Sequence, residues 1–259
     1  MRLMDKHSII KIQNTGLYYD KLLYLIDFGS IFLEKEKNSF RNKNTDNPKN
    51  TYKDKILSSL SSIEPYEHLI TIRNKMITSL KKNGKFVYSF TATLKTPALI
   101  GTGIPSIDEI GFYWNRNYGI PTIPGSSIKG AFSSYFYSDE SFDKKLYDLI
   151  FGTKENAGKV EFLEAIPKGK FSLLKEIQAP HFGNYYQKNL PPNDVYNPII
   201  LSFLSINSKT EFIFDFVIDT DKEDTAKEIL CLFEKSKKNI MEIYGLGAKT
   251  SMGYGRFKV

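Results

Sequence analysis

Lys85-Phe-Val-Tyr-Ser-Phe-Thr-Ala-Thr-Leu94 is the stretch on which the fold turns. Phe86, Tyr88, Phe90, Ala92 and Leu94 alternate with Val87, Ser89, Thr91 and Thr93, so the two sets fall on opposite faces of a strand. Pro97 ends the pattern, because it brings no N–H to a ladder. Downstream, a Gly/Pro-rich stretch runs from Gly101 to Gly125, and Ser126 or Ser127 is placed to cap a helix carrying Ile128, Ala131, Phe132, Tyr135 and Phe136. Leu146, Leu149 and Ile150 mark a second helical piece that stops near Gly152. Strands are expected at Val160 to Ile166 and Ile199 to Ile206, the latter pairing with Glu211 to Ile218 across an Asn207-Ser-Lys209 turn. Thr220 and Glu223 read as a capping box before a helix striped by Ala226, Ile229, Leu230 and Phe233. A closing strand is expected at Tyr254 to Val259.

Strand, helix, strand, strand, helix, strand is the ferredoxin-like order, an α+β fold in the βαββαβ (RRM-like) arrangement. It places two helices on one face of an antiparallel sheet and leaves the other face for a ligand. Residues 84–259 form this domain.

Upstream, the period is helical. Leu22, Leu25, Ile26, Gly29 and Leu33 lie at helical spacing within residues 17–37, and residues 38–51, rich in Asn with Pro48, read as a flexible loop. Helical spacing returns through Ile56, Leu57, Leu60 and Ile63, and Pro65 starts a helix through Leu69, Ile70, Met76, Ile77 and Leu80. Residues 1–83 are thus a helical, basic extension.

Charge is distributed unevenly over the 259 residues. The chain carries 36 Lys+Arg and 29 Asp+Glu, a net charge of +7. The first 85 residues hold 16 basic and 9 acidic side chains, which accounts for the whole excess (16 − 9 = 7). Such a segment attracts polyanions or serves as a solvated helical face. From Ile110 to Ser138 the charged residues are Arg116 and Lys129, and from Ile243 to Val259 Lys249, Arg256 and Lys258. Neither window has a carboxylate, and both are rich in glycine and aromatics, which suits close backbone approach to phosphates and stacking on bases.

Several chemistries fail on the residues present. One cysteine, Cys231, and three scattered histidines, His7, His68 and His181, supply neither a disulfide nor a four-ligand zinc site. A phosphate loop needs G-x-x-x-x-G-K-[ST], but Lys129 comes too late after Gly125, and Ala248-Lys-Thr250 lacks the glycine. Gly245-Leu-Gly247 has Thr250 where a dinucleotide fingerprint needs its third glycine. No cofactor is expected. Apolar runs end after about eight residues where a membrane helix needs roughly 20, and the first residues lack the apolar core of a secretory signal. A cytoplasmic protein is the expectation.

Ile120-Pro-Thr-Ile-Pro-Gly-Ser-Ser-Ile-Lys-Gly-Ala-Phe132 and Gly245-Leu-Gly-Ala-Lys-Thr-Ser-Met-Gly-Tyr-Gly-Arg-Phe257 resemble the two signature segments of the RAMP superfamily, RNA-binding proteins of CRISPR effector complexes. Gly101-Thr-Gly-Ile-Pro-Ser106, Phe162-Leu-Glu-Ala-Ile-Pro167, Ala179-Pro-His-Phe-Gly-Asn-Tyr-Tyr186 and Asn197-Pro-Ile-Ile-Leu-Ser-Phe-Leu204 narrow the resemblance to the sixth-subunit family of the type III-B (Cmr) complex. It covers about residues 86 to 258. The resemblance implies a non-catalytic subunit that binds guide RNA near the 3′ end of the CRISPR RNA. It further implies contact with the guide–target duplex and with other Cmr subunits: the backbone RAMP subunit, the small helical subunit and the other 3′-end RAMP subunit.

The candidate RNA-binding residues follow from chemistry as well as resemblance. Gly125, Ser126, Ser127, Lys129 and Gly130 bring backbone N–H groups, hydroxyls and a charge to a helix N-terminus. Gly247, Lys249, Thr250 and Arg256 are set to meet phosphates, and Tyr254 to stack on a base or join the core. Lys129 has a simple solvated reading beside the phosphate one. In RAMP backbone subunits the excursion after the first strand is a duplex wedge, so Trp114 and Arg116 stand as wedge residues or as a subunit contact. Two endoribonuclease alternatives remain: Mg²⁺-assisted cleavage at Asp108 and Glu109, and metal-free acid–base processing by His181 beside Tyr185 and Tyr186.

Overall fold

β1 (Phe86–Leu94) is the strand its alternation predicts, and it lies inside the sheet. The computed structural model describes residues 67–106, 110–180, 182–188, 190–192, 198 and 200–259. The predicted helices within 17–37 and 52–63, the loop at 38–51, Asp108, Glu109 and His181 lie outside the described residues. In chain order the elements are α1 (Glu67–Lys82), β1, β2 (Trp114–Asn115), β3 (Ile120–Pro121), α2 (Gly125–Tyr137), α3 (Lys144–Phe151), β4 (Val160–Phe162) and β5 (Ile166–Pro167). They continue with β6 (Leu173–Gln178), α4 (Gly183–Lys188), β7 (Leu201–Ile206), β8 (Glu211–Ile218), α5 (Glu223–Asn239) and β9 (Phe257–Lys258). A π-helical turn at Ile240–Tyr244 and a 3₁₀ turn at Thr250–Met252 separate α5 from β9.

The main sheet runs β4-β8-β1-β9, with β5 also paired to β8 and every pairing antiparallel. Merging β4 and β5 into one strand broken at Leu163–Ala165 gives the ferredoxin-like order. β1 and β8 form the spine, registered from Phe86↔Ile218 to Thr93↔Glu211. Their inward residues meet α2 and α5: Phe132 is 5.1 Å and Phe233 5.5 Å from the Phe216 ring, both edge-on, and Phe90 stacks on Phe214 at 4.9 Å. Each such pair contributes about 0.5–1.5 kcal/mol beyond its buried area.

The opposite face departs from the expectation of an open ligand platform. Ser89 and Asp215 point there, since they alternate with Phe90, Phe214 and Phe216. α1 lies against it: the Arg73 guanidinium is 3.8 Å from the Asp215 carboxylate, which also accepts 2.7 Å from the Ser89 hydroxyl. Leu69, Ile70, Arg73, Ile77 and Leu80 are the packed side of α1, whereas Met76, expected on the apolar stripe, faces outward.

Three other expectations are corrected. β7 does not pair with β8; it pairs residue for residue with β6, from Leu173↔Ile206 to Gln178↔Leu201. Both edges of β8 are already taken, by β1 and by β4 with β5, and Lys209 at φ 72° turns the chain so that its N–H donates to the Leu94 carbonyl. Neither predicted cap is used: Pro124 holds the N-cap of α2 with no side-chain cap bond, and Lys222 that of α5. Thr220 instead accepts from the Lys222 N–H at 3.2 Å, one step before the helix. The closing strand shrinks to Phe257–Lys258, because Gly253 and Gly255 at positive φ keep the preceding residues in turns. Among the described residues no helix is long and apolar enough to cross a membrane.

Candidate nucleic-acid interface

The first signature segment enters the core before it reaches the surface. Ile120 and Ile123 are buried, and an isolated bridge joins Ile123 to Ala165. A Cβ on Gly125 would lie 1.8 Å from the Phe162 carbonyl oxygen, so only glycine lets α2 start this close to β4. Ser126 is exposed, Ser127 and Lys129 half-buried, and Gly130 exposed with nothing within 4 Å of an added Cβ. No side chain caps α2: the Ser127 N–H donates to Pro124 O at 3.0 Å, which leaves the N–H groups of half-buried Gly125 and exposed Ser126 and the positive dipole end beside the Ser126 hydroxyl.

Glu164, in the β4–β5 break, ties this region together. Its carboxylate accepts from Asn115 Nδ2 at 2.9 Å and from Thr122 Oγ1 at 2.5 Å, while its backbone carbonyl accepts from Arg73 Nη2 at 2.8 Å. Burial, then the nearby Glu164 charge, pushes the Tyr113 phenol up from its usual range. Trp114 is buried at 5 % exposure, its ring 4.7 Å from Phe112, so in this conformation it is a core residue; Arg116 is the exposed member of the pair.

The second segment is strapped to the fold at several points. Leu246 N–H donates to Gly255 O at 2.9 Å, Ala248 N–H to Leu99 O at 2.8 Å and Gly255 N–H to Pro97 O at 2.8 Å, around the buried Leu246. Gly247 is exposed at φ +99°, and a Cβ there would meet the Leu99 carbonyl at 2.4 Å. Lys249, left-handed at φ 57°, sends its ammonium to the Gln178 amide oxygen and 5.0 Å over the Phe203 ring. The Tyr254 hydroxyl donates to Glu176, whose other oxygen accepts from buried Ser205. That hydrogen bond, more than burial, pushes the Tyr254 phenol up to about 12. Arg256 Nη2 donates to Thr250 O at 2.9 Å, and its Nη1 is buried without a partner.

Lys249 and Tyr254 therefore latch the loop to the β6–β7 hairpin through Gln178, Phe203, Glu176 and Ser205, none of which sequence reasoning singled out. β6 gave little signal in sequence, since its Leu-Leu-Lys-Glu-Ile-Gln run has no two-residue period. Just outside the two signature segments, Tyr135 of α2 packs edge-on to Tyr244 at 5.1 Å. Tyr135 stands ten residues along α2 from Gly125, roughly 15 Å of rise. A ligand touching both α2's start and the glycine loop is thus an extended one. Among the described residues no three His, Cys, Asp or Glu side chains gather where a metal could be held.

Comparison with known proteins agrees with this architecture. The RAMP superfamily model matches residues 91–258. A curated relative, the CRISPR system Cmr subunit Cmr6 of Pyrococcus furiosus, is 30% identical over 236 residues, covering 66% of this chain and 68% of the relative. A chain in the cryo-EM structure of the Type III-B Cmr-beta bound to cognate target RNA superposes with a TM-score of 0.75 at 24% identity, over 98% of this chain and 92% of that one. The chain belongs to the RAMP superfamily and is a homologue of Cmr6.

Proposed function

We propose that this chain is a non-catalytic guide-RNA-binding and assembly subunit of a type III-B CRISPR effector, seated near the 3′ end of the CRISPR RNA among other Cmr subunits. One observation carries the RNA-binding part: α2 begins without a side-chain cap, beside exposed Ser126 and half-buried Lys129, with no carboxylate from Ile110 to Ser138. Oriented N–H groups and a helix dipole favour a phosphate there. The glycine loop from Gly245 supplies a second surface, where exposed Gly247 admits a backbone at close range. Lys249 and Tyr254 act by holding that loop, and Arg116 is the outward candidate for contact with duplex or subunit.

The test is binding of the full chain to a labelled CRISPR RNA, with Lys129→Glu and Ser126→Asp as variants. Each should weaken binding about tenfold or more, the worth of one charged hydrogen bond. Unchanged affinity in both would remove the α2 contact, and single-turnover cleavage of RNA by the wild-type chain would overturn the non-catalytic assignment.

A further inference from the structure

Of the chain's net charge of +7, most resides in residues 68–85, which carry Arg73, Lys75, Lys81, Lys82 and Lys85 and no carboxylate. Two of these five are spoken for: Arg73 reaches inward to Asp215, and Lys85 pairs with Asp219. The other three lie on α1 and are exposed. Along the exposed side of that helix, Thr71, Asn74, Lys75, Thr78, Ser79 and Lys82 share one face and line an open depression. The Thr71 and Thr78 hydroxyls are turned back to the carbonyls of Glu67 and Asn74, so the outward donors are the Lys75 and Lys82 ammonium groups, the Asn74 amide and the Ser79 hydroxyl. Among the described residues no carboxylate lies within ion-pair distance of Lys75 or Lys82.

We propose that this face of α1 is a second phosphodiester-binding track, taking a single-stranded RNA backbone without regard to sequence. This rests on the RNA-binding reading above and extends it to an element outside both signature segments. Charge complementarity selects the occupant: beyond Glu67 at its first turn, this face presents cations and neutral donors and no further carboxylate, which suits phosphates. Lys75 and Lys82 stand about 10 Å apart along the helix axis, so they engage separate phosphates. The track is also joined to the α2 site. Arg73 holds the Glu164 carbonyl, while Gly125 at the head of α2 abuts the Phe162 carbonyl two residues earlier, so one strand break sets the position of both elements.

The experiment is equilibrium binding of the full chain to fluorescein-labelled oligouridylate and oligoadenylate across a series of salt concentrations. The double variant Lys75→Gln/Lys82→Gln should lose about fivefold to thirtyfold in affinity at low salt. The slope of log K against log salt should shrink by about 1.4, at roughly 0.7 per phosphate on a single strand. Both oligonucleotides should lose equally, and Lys75→Arg/Lys82→Arg should keep the wild-type slope. An unchanged slope in the Gln pair overturns the proposal. So does an equal loss in Lys144→Gln/Lys145→Gln, which removes the same charge from α3. Unchanged RNA binding together with lost subunit assembly in Ile72→Ser/Met76→Ser would assign the face to a protein partner. If the wild type binds neither oligonucleotide, both this proposal and the RNA-binding reading fall; if Lys129→Glu weakens binding and the α1 pair does not, only this one does.

Discussion

A methyl group at Gly125 would collide with backbone, and the same group at Gly130, five residues on in the same helix, would meet nothing. Gly125→Ala should therefore cost at least about 2 kcal/mol, as overpacking does, and Gly130→Ala should stabilise the chain by roughly 0.5–1 kcal/mol. Urea unfolding of the two variants, with m-values compared, checks both. Sequence alone made these glycines equivalent, as members of one signature, because spacing carries no record of the carbonyl Gly125 faces. Trp114 illustrates the same limit: an aromatic in a Gly/Pro-rich insertion reads as exposed, yet Phe112 draws it into the core. Tyr254 was legible as a residue with two fates, and the hydrogen bond to Glu176 decides between them. Its raised pKa has a defined sign. The unfolded chain loses the phenolic proton near pH 10 and the folded chain near 12, so the stabilisation is complete below pH 10 and disappears as pH rises through 12. Tyr254→Phe should be less stable than wild type by about 1 kcal/mol at neutral pH, and denaturation at stepped alkaline pH should show the gap closing over that window.

At the scale of elements, Arg73 ties α1 to the sheet through Asp215 and the Glu164 carbonyl, beside the helix's apolar side. Arg73 and Asp215 are largely buried, so Arg73→Met leaves a carboxylate on the sheet without its cation and should cost about 3 kcal/mol, whereas Arg73→Met/Asp215→Leu should recover much of the loss. A double-mutant cycle by chemical denaturation measures this. The helix itself was readable from Leu69, Ile70, Ile77 and Leu80; its docking was not, because the charge pattern of Arg73 gives no hint of an aspartate 142 positions away. β7 shows the opposite failure. Its apolar run and the Asn207-Ser-Lys209 turn form a strong local hairpin signal, and competition for the edges of β8 overrides it. β6, whose Leu-Leu-Lys-Glu-Ile-Gln run does not alternate and whose residues are mostly half-buried, offered too weak a pattern to announce itself as the true partner.

Across the whole molecule, stability should divide between the main sheet and the β6–β7 hairpin. The β1–β8 spine is sealed by the aromatic cluster around Phe216. The β6–β7 hairpin is fastened to the rest through the Ala98–Ile206 bridge and the Lys249 and Tyr254 contacts. Native-state hydrogen exchange should find spine amides exchanging only by global unfolding and hairpin amides at least about tenfold faster. Tyr254→Phe should speed the hairpin further and leave the spine unchanged. The strand order follows from the sequence of periods, since β1 and β8 alternate cleanly and the intervening helices are striped; what attaches to that core had to be seen. The spine also has a temporal consequence. Synthesis of β1 is complete 116 residues before that of β8 begins, a wait of about 6 to 23 s at 5–20 residues per second. Throughout that interval an aromatic strand has neither of its ladder neighbours, so nascent-chain aggregation and chaperone demand should peak before residue 218 emerges.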